Sequence, residues 1–169
     1  MRDHPDPRGT ELELLGQYLD YQRETVLLKT DSLSREQLAR PHPPTALTLG
    51  GLLNHLALVE DDWMEVRFLG LPEREPWAGV DWDADPDWEF RTAGELEPEQ
   101  LRRRYRDACD RSRLATSEAG SLDRLSARTL RDGRRFSLRW MLLHLLEETA
   151  RHAGHADLIR EAIDGDVGE

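Results

Sequence analysis

Residues 137–165 read SLRWMLLHLLEETARHAGHADLIREAIDG. Ser137 is a helix N-cap residue, Phe136 before it can staple onto Met141, and the helix is expected to end near Gly165. At about 100° per residue, Met141, Leu145, Glu148, His152, His155, Ile159 and Ala162 fall on one stripe at alternating four- and three-residue steps. Such a stripe marks a long helix turned toward a core. Three of its consecutive members are polar, and His144 lies on its near edge. A desolvated donor or acceptor without a partner costs about 1–3 kcal/mol, so Glu148, His152 and His155 demand partners.

Outward from this helix, three more long helices are legible. Thr10 with Glu13 forms a capping box, and Leu12, Leu15, Leu19, Gln22 and Val26 recur at helical spacing to about Thr30. Ser34 with Gln37 repeats the box for a short turn, which Pro41-His42-Pro43-Pro44 stops. A second long helix is expected from about Thr48 to Leu69. Pro98 at a first helical position opens a third, to about Ala119. Between these two, Gly70 to about Leu96 reads as a long loop with one short helical turn, and Trp77, Trp82 and Trp88 argue that it is packed. Asp132-Gly133 signals a tight reversal or small hairpin. The expectation is an all-α four-helix bundle, one domain over residues 10–165 with a loose arm at residues 1–9. Up-down-up-down is the default helix order, and a crossover in the long loop is the alternative.

The second helix carries a matching anomaly. Leu52, Val59, Trp63 and Val66 form an apolar stripe with His55 among them. A carboxylate and an imidazole at i and i+4 stand one turn apart, and a histidine on a facing helix completes three ligands for a small cation. His55, Glu148 and His152 suit that geometry. Three N/O ligands without thiolate leave positions open for water or substrate, as in catalytic zinc, nickel or iron sites. A buried polar network is the plainer alternative, and the pattern alone leaves both open.

Composition excludes several classes. With 34 acids against 23 bases, the net charge is −11. Such a surface repels phosphate backbones, so no nucleic-acid partner is expected. No apolar run approaches the length of a membrane span, no basic amphipathic segment suits an anionic lipid surface, and the first nine residues lack a signal-like stretch, so a cytoplasmic location is expected. The single Cys109 excludes an internal disulfide and is expected to be a packed or idle thiol. Asp81-Trp82-Asp83-Ala84-Asp85 lacks the glycine and distal glutamate of a calcium loop and reads as solvated. Trp63 and the loop tryptophans are candidate pocket walls, and Arg139 and Arg151 candidate anion contacts, with core packing and solvated charge as the plainer alternatives.

The run from Leu143 to Arg160 resembles the last helix of the DinB/YfiT-like superfamily, in particular its mycothiol-linked members. Leu52-Leu53-Asn54-His55-Leu56-Ala57-Leu58-Val59-Glu60 is similar to the segment where that superfamily places its first metal-binding histidine. With the bundle pattern, the resemblance covers most of the chain from Glu11 to Gly165. Much of the superfamily uses three histidines, the last two four residues apart. This chain departs from that with Glu148 in place of the first of those two, and a histidine, glutamate, histidine set is what the mycothiol-dependent maleylpyruvate isomerase branch uses. On that resemblance His55, Glu148 and His152 carry over as metal ligands. His144 and His155 match no ligand and are expected to line or brace the pocket.

The resemblance implies a divalent ion, zinc first with nickel or iron as alternatives, and a mycothiol-like thiol as co-substrate transferred to a small electrophile. The additional C-terminal domain of the isomerase branch has no counterpart in these residues, which favours S-transfer over isomerisation. A non-enzymatic metal-binding or stress-response protein of the same fold, and a metal-dependent hydrolase, are the alternatives. A homodimer is expected by analogy with relatives.

Overall fold

The computed structural model describes residues 4–167. Of the expected arm, residues 1–3 lie outside the described residues. The remainder lies against the first helix: the His4 ring stacks on Tyr21 at 5.4 Å, and the Asp6 amide donates to Gln17 Oε1 at 2.6 Å.

The chain is all-α. Its elements are α1 (Glu11–Lys29), α2 (Arg35–Leu38), α3 (Leu49–Glu60) continued by a π-helical segment Asp61–Phe68, α4 (Trp88–Thr92), α5 (Pro98–Ser117) and α6 (Leu138–Asp164), with 3₁₀ turns at Trp77–Gly79 and Ala93–Glu95. The described residues thus hold the four expected long stretches and several short elements between them. Local chemistry sets the boundaries. Thr10 and Ser34 form the two predicted capping boxes, and Glu97 forms a third with Gln100 ahead of Pro98. Ser137 Oγ accepts from the Trp140 amide, and Gly165 ends α6 at φ 81°, in the left-handed region that glycine adopts without a Cβ penalty. The Asp132-Gly133 reversal is present, closed by the Leu130 amide donating to the Arg134 carbonyl at 2.8 Å, but its arms form one isolated bridge, Leu125–Ser137, and no hairpin of strands among the described residues. Phe136 stacks on Trp140, with ring centroids 4.4 Å apart.

Side-chain pairs fix the helix directions. Asn54 meets Arg104 and Asp61 meets Arg111, so α3 and α5 run parallel. Leu27 meets Arg102 and Asp20 meets Arg113, which makes α1 antiparallel to α5. Glu11 meets Arg139 and Lys29 meets Arg160, which makes α1 parallel to α6. His55 meets Glu148 and Trp63 meets His144, so α3 and α6 run antiparallel. The principal packings are α1 on α6 and α3 on α5, joined through α3 on α6. The default up-down-up-down order is therefore not adopted. Two consecutive parallel helices need a connection that travels the bundle's length, and this is what residues 69–97 supply.

That crossover is packed. Trp77 is buried and its Nε1–H donates to Asp61 Oδ2 at 2.9 Å, while Trp82 and Trp88 lie against the core that also holds Leu52, Leu56, Tyr105 and Ala156. A second apolar cluster, with Leu19, Met64, Phe68, Met141 and Leu145, fills the other end. Between them Arg23 is buried on α1 and gives a two-pronged bond to Glu60, 2.7 and 2.6 Å, with Ser112 Oγ at 3.0 Å. Among the described residues no helix is long and apolar enough to cross a membrane.

Candidate metal centre

His55 projects from α3 toward α6, and Glu148 and His152 meet it from successive turns of α6. His55 Nε2 lies 3.4 Å from Glu148 Oε1, and His152 Nε2 lies 3.2 Å from the same oxygen. One ligand atom from each of the three residues falls within 4.8 Å of the others. Donors at about 2.0–2.2 Å from a tetrahedral ion stand about 3.3–3.6 Å apart, so the 3.4 Å separation matches a shared first-row divalent cation and the 3.2 Å one needs only a slight opening. The donor chemistry fits as well: two imidazoles and one carboxylate suit zinc, nickel or iron, and three protein donors leave coordination positions open.

These side chains are not fully buried. Exposures of 20 % for His55, 19 % for Glu148 and 12 % for His152 leave the centre reachable from solvent. The buried face of α6 is turned from the expected stripe and runs through Met141, Leu145, Thr149, Ala153, Ala156 and Ile159. Glu148, His152 and His155 sit at its edge, and Ala162 is exposed.

The electrostatics follow from that half-burial. Burial is the largest influence on Glu148 and opposes its ionisation, but the His55 hydrogen bond and the His152 and His55 charges together prevail, and its pKa falls below the ordinary 4.5. Burial, followed by the charge of His55, pushes His152 below its ordinary 6.5 despite the attraction of Glu148. Both shifts favour the proton-free forms that a metal ion requires.

The remaining candidates divide. His155 Nδ1 lies 3.3 Å from His152 Nδ1 on the ring edge away from Glu148. His144 packs edge-on against Trp63 at 4.4 Å and stacks on Trp140 at 5.2 Å, one turn before Glu148. Trp63 also lines, with Val59, Val66, Trp77 and Trp82, a cavity of about 300 Å³ between the π-helical segment and the crossover. Arg139 pairs with Glu11 and Asp123, and Arg151 pairs with Glu147, so each of these guanidiniums already faces a carboxylate outside the His/Glu cluster. Cys109 is 2 % exposed on α5, and burial, reinforced by Glu60, pushes its thiol well above the usual range.

Sequence reasoning missed Glu89 and Phe90. Glu89 Oε1 lies 2.9 Å from His55 Nδ1, and Phe90 stacks on the His55 ring at 4.8 Å. Both come from α4 inside the crossover, where the only signal was an acid flanked by two aromatic residues in a loop already read as packed.

A model of the mycothiol-S-transferase family matches residues 14–165. No curated protein matches at a significant level. The fold is similar to that in the crystal structure of a conserved protein from Enterococcus faecalis, with a TM-score of 0.65 and 14 % identity over 94 % of this chain and 100 % of that one. At that identity the likeness shows the fold alone. The family model spans nearly all of the bundle, both helices of the His/Glu cluster included, and the chain belongs to the mycothiol-S-transferase family of DinB-like proteins.

Proposed function

We propose that this protein is a metal-dependent S-transferase that joins the sulfur of mycothiol, or a closely related low-molecular-weight thiol, to a small electrophile. The unit responsible is residues 10–165, folded as one domain. The observation that carries the reading is the convergence of His55, Glu148 and His152 within 4.8 Å, in a chain whose family is named for this transfer. Zinc is the first choice of ion, with nickel or iron as alternatives. When bound, a divalent ion lowers the pKa of a coordinating thiol so that thiolate is available at neutral pH.

The protein's own groups supply position. Glu148 Oε1 stands between two imidazole nitrogens, and α3 and α6 hold those nitrogens from opposite sides. Phe90 against one face of His55 restricts that ring's rotation. In the overall change a sulfur–carbon bond forms, the leaving group departs with its bonding electron pair, and the thiol proton passes to solvent. Cys109 contributes no nucleophile, because its thiol is buried and held protonated.

The test is thiol consumption with an activated aryl halide as acceptor. Mycothiol conjugation above the uncatalysed rate, lost on chelation and restored by adding back zinc, nickel or iron, is the expected result. Undiminished conjugation by protein freed of metal would overturn the reading.

A further inference from the structure

Glu89 is buried, with its side chain 6 % exposed, yet it belongs to neither apolar cluster and to no arginine pair. Its Oε1 lies 2.9 Å from His55 Nδ1, while its Oε2 is buried without a hydrogen-bond partner. A half-satisfied carboxylate in such a place is unfavourable for folding, and a neutral side chain of the same size would be less so. The backbone that carries it is nevertheless clamped. Asn54 Nδ2 donates to the Glu89 carbonyl at 2.7 Å, and Arg104 holds the other end of that amide through Oδ1 at 2.6 Å. Asn54 is fully buried and adjoins His55. The crossover is thus tied to α3 at the one point where its carboxylate reaches the imidazole.

The two nitrogens of His55 face different partners. Nδ1 faces Glu89 and Nε2 faces Glu148. A carboxylate accepts and does not donate, so the Glu89 contact requires a proton on Nδ1; a cation held between Nε2 and Glu148 would take the place of the Nε2 proton, and Nε2 would then offer its lone pair while Nδ1–H stays on Glu89.

We propose that Glu89 is the positioning residue of the metal centre: it fixes the tautomer and orientation of His55 from behind and adds a second carboxylate that offsets the charge of a divalent ion. This rests on the proposed ligation by His55, Glu148 and His152. Such outer partners typically account for roughly 10–100-fold in metal affinity.

The experiment is cobalt(II) titration of the full chain against a competing chelator, read by visible absorption, for the wild type, Glu89→Gln, Glu89→Ala and His55→Ala, with thermal melting of each metal-free protein. Gln keeps an acceptor for Nδ1–H but removes the charge, and Ala removes both. The expected order of affinity is wild type, then Glu89→Gln, then Glu89→Ala, roughly 10–100-fold below wild type at the Ala step, with altered cobalt bands. The metal-free Glu89→Gln protein should melt no lower than wild type, because it loses a poorly satisfied buried charge. A merely structural role for Glu89 would lower melting and leave affinity and spectrum unchanged in the folded protein, and that result overturns the proposal. If wild type binds cobalt, His55→Ala does not, and both Glu89 variants match wild type, only the Glu89 inference falls. If wild type binds no cobalt, the ligand assignment falls and takes this proposal with it.

Discussion

His152 answers two opposed demands, since the core side of α6 favours a neutral ring while Glu148 favours a charged one, and burial prevails. A histidine whose folded pKa lies below its unfolded 6.5 loses stability as pH falls through the unfolded value, because the unfolded chain takes up the proton first. Glu148, with a folded pKa below 4.5, contributes stability above that value and loses it as pH falls through the folded pKa. Both act in one direction. The metal-free protein should lose melting temperature as pH drops from 7 toward 4, and His152→Asn should flatten the part of that slope near pH 6; an identical slope in the variant would contradict the assignment. Cys109 gives a second expectation at this scale. Native protein should be inert toward a disulfide reagent and release one equivalent in denaturant, and Cys109→Ala should keep conjugation activity. The convergence of His55, Glu148 and His152 was legible in the sequence because polar residues stood among apolar ones at helical spacing on two helices. Glu89 was not, because its burial depends on where a distant loop comes to rest.

Among the elements, the start of α3 shows how the His/Glu cluster is supported from outside. A Cβ on Gly51 would meet Phe90 Cδ1 at 3.0 Å and Thr48 Oγ1 at 2.9 Å, so the missing side chain lets α4 lie against α3. Phe90 is the ring that stacks on His55. Gly51→Ala is expected to destabilise the fold by about 1–3 kcal/mol and to weaken metal binding through Phe90. Urea unfolding and metal titration of the same variant check the two effects, and an unaltered midpoint would show that Phe90 moves freely. The Arg23–Glu60 pair is the second element-level test. Arg23→Leu strands a carboxylate on α3 and should cost about 3–5 kcal/mol, whereas the double replacement of Arg23 and Glu60 by Leu should recover most of it. If the single variant unfolds at the wild-type urea concentration, the pair does not hold α1 to α3. Arg23 also marks a limit of periodicity. The sequence pattern put Gln22 on the inner face of α1, but the buried neighbour is Arg23, whose role depends on partners 37 and 89 residues away. The π-helical segment after Glu60 was likewise read as ordinary helix, since no local residue type announces it.

For the whole molecule, the parallel course of α3 and α5 is what gives the long crossover its work. It crosses the bundle and sets Glu89 and Phe90 behind His55 of α3, while α6, parallel to α1, brings Glu148 and His152 to the front. Capping residues, prolines and apolar spacing made the four long helices and their ends readable. Helix order was not, because it depends on side-chain pairs such as Asn54–Arg104 and Asp61–Arg111 that no local pattern encodes. An ion held by α3 and α6 would brace that arrangement. At 100 times its dissociation constant a ligand stabilises by about 2.7 kcal/mol, which is roughly 5–10 °C in a protein this size, so chelation should lower the melting temperature by that much in wild type but not in His152→Ala. The most direct measurement is anomalous X-ray diffraction at the zinc edge from crystals of zinc-loaded protein. The account predicts one peak about 2.0–2.2 Å from His55 Nε2, a Glu148 oxygen and His152 Nε2. Zinc-loaded crystals with no peak among these three atoms, or with the two imidazoles turned away from a common point, would contradict it.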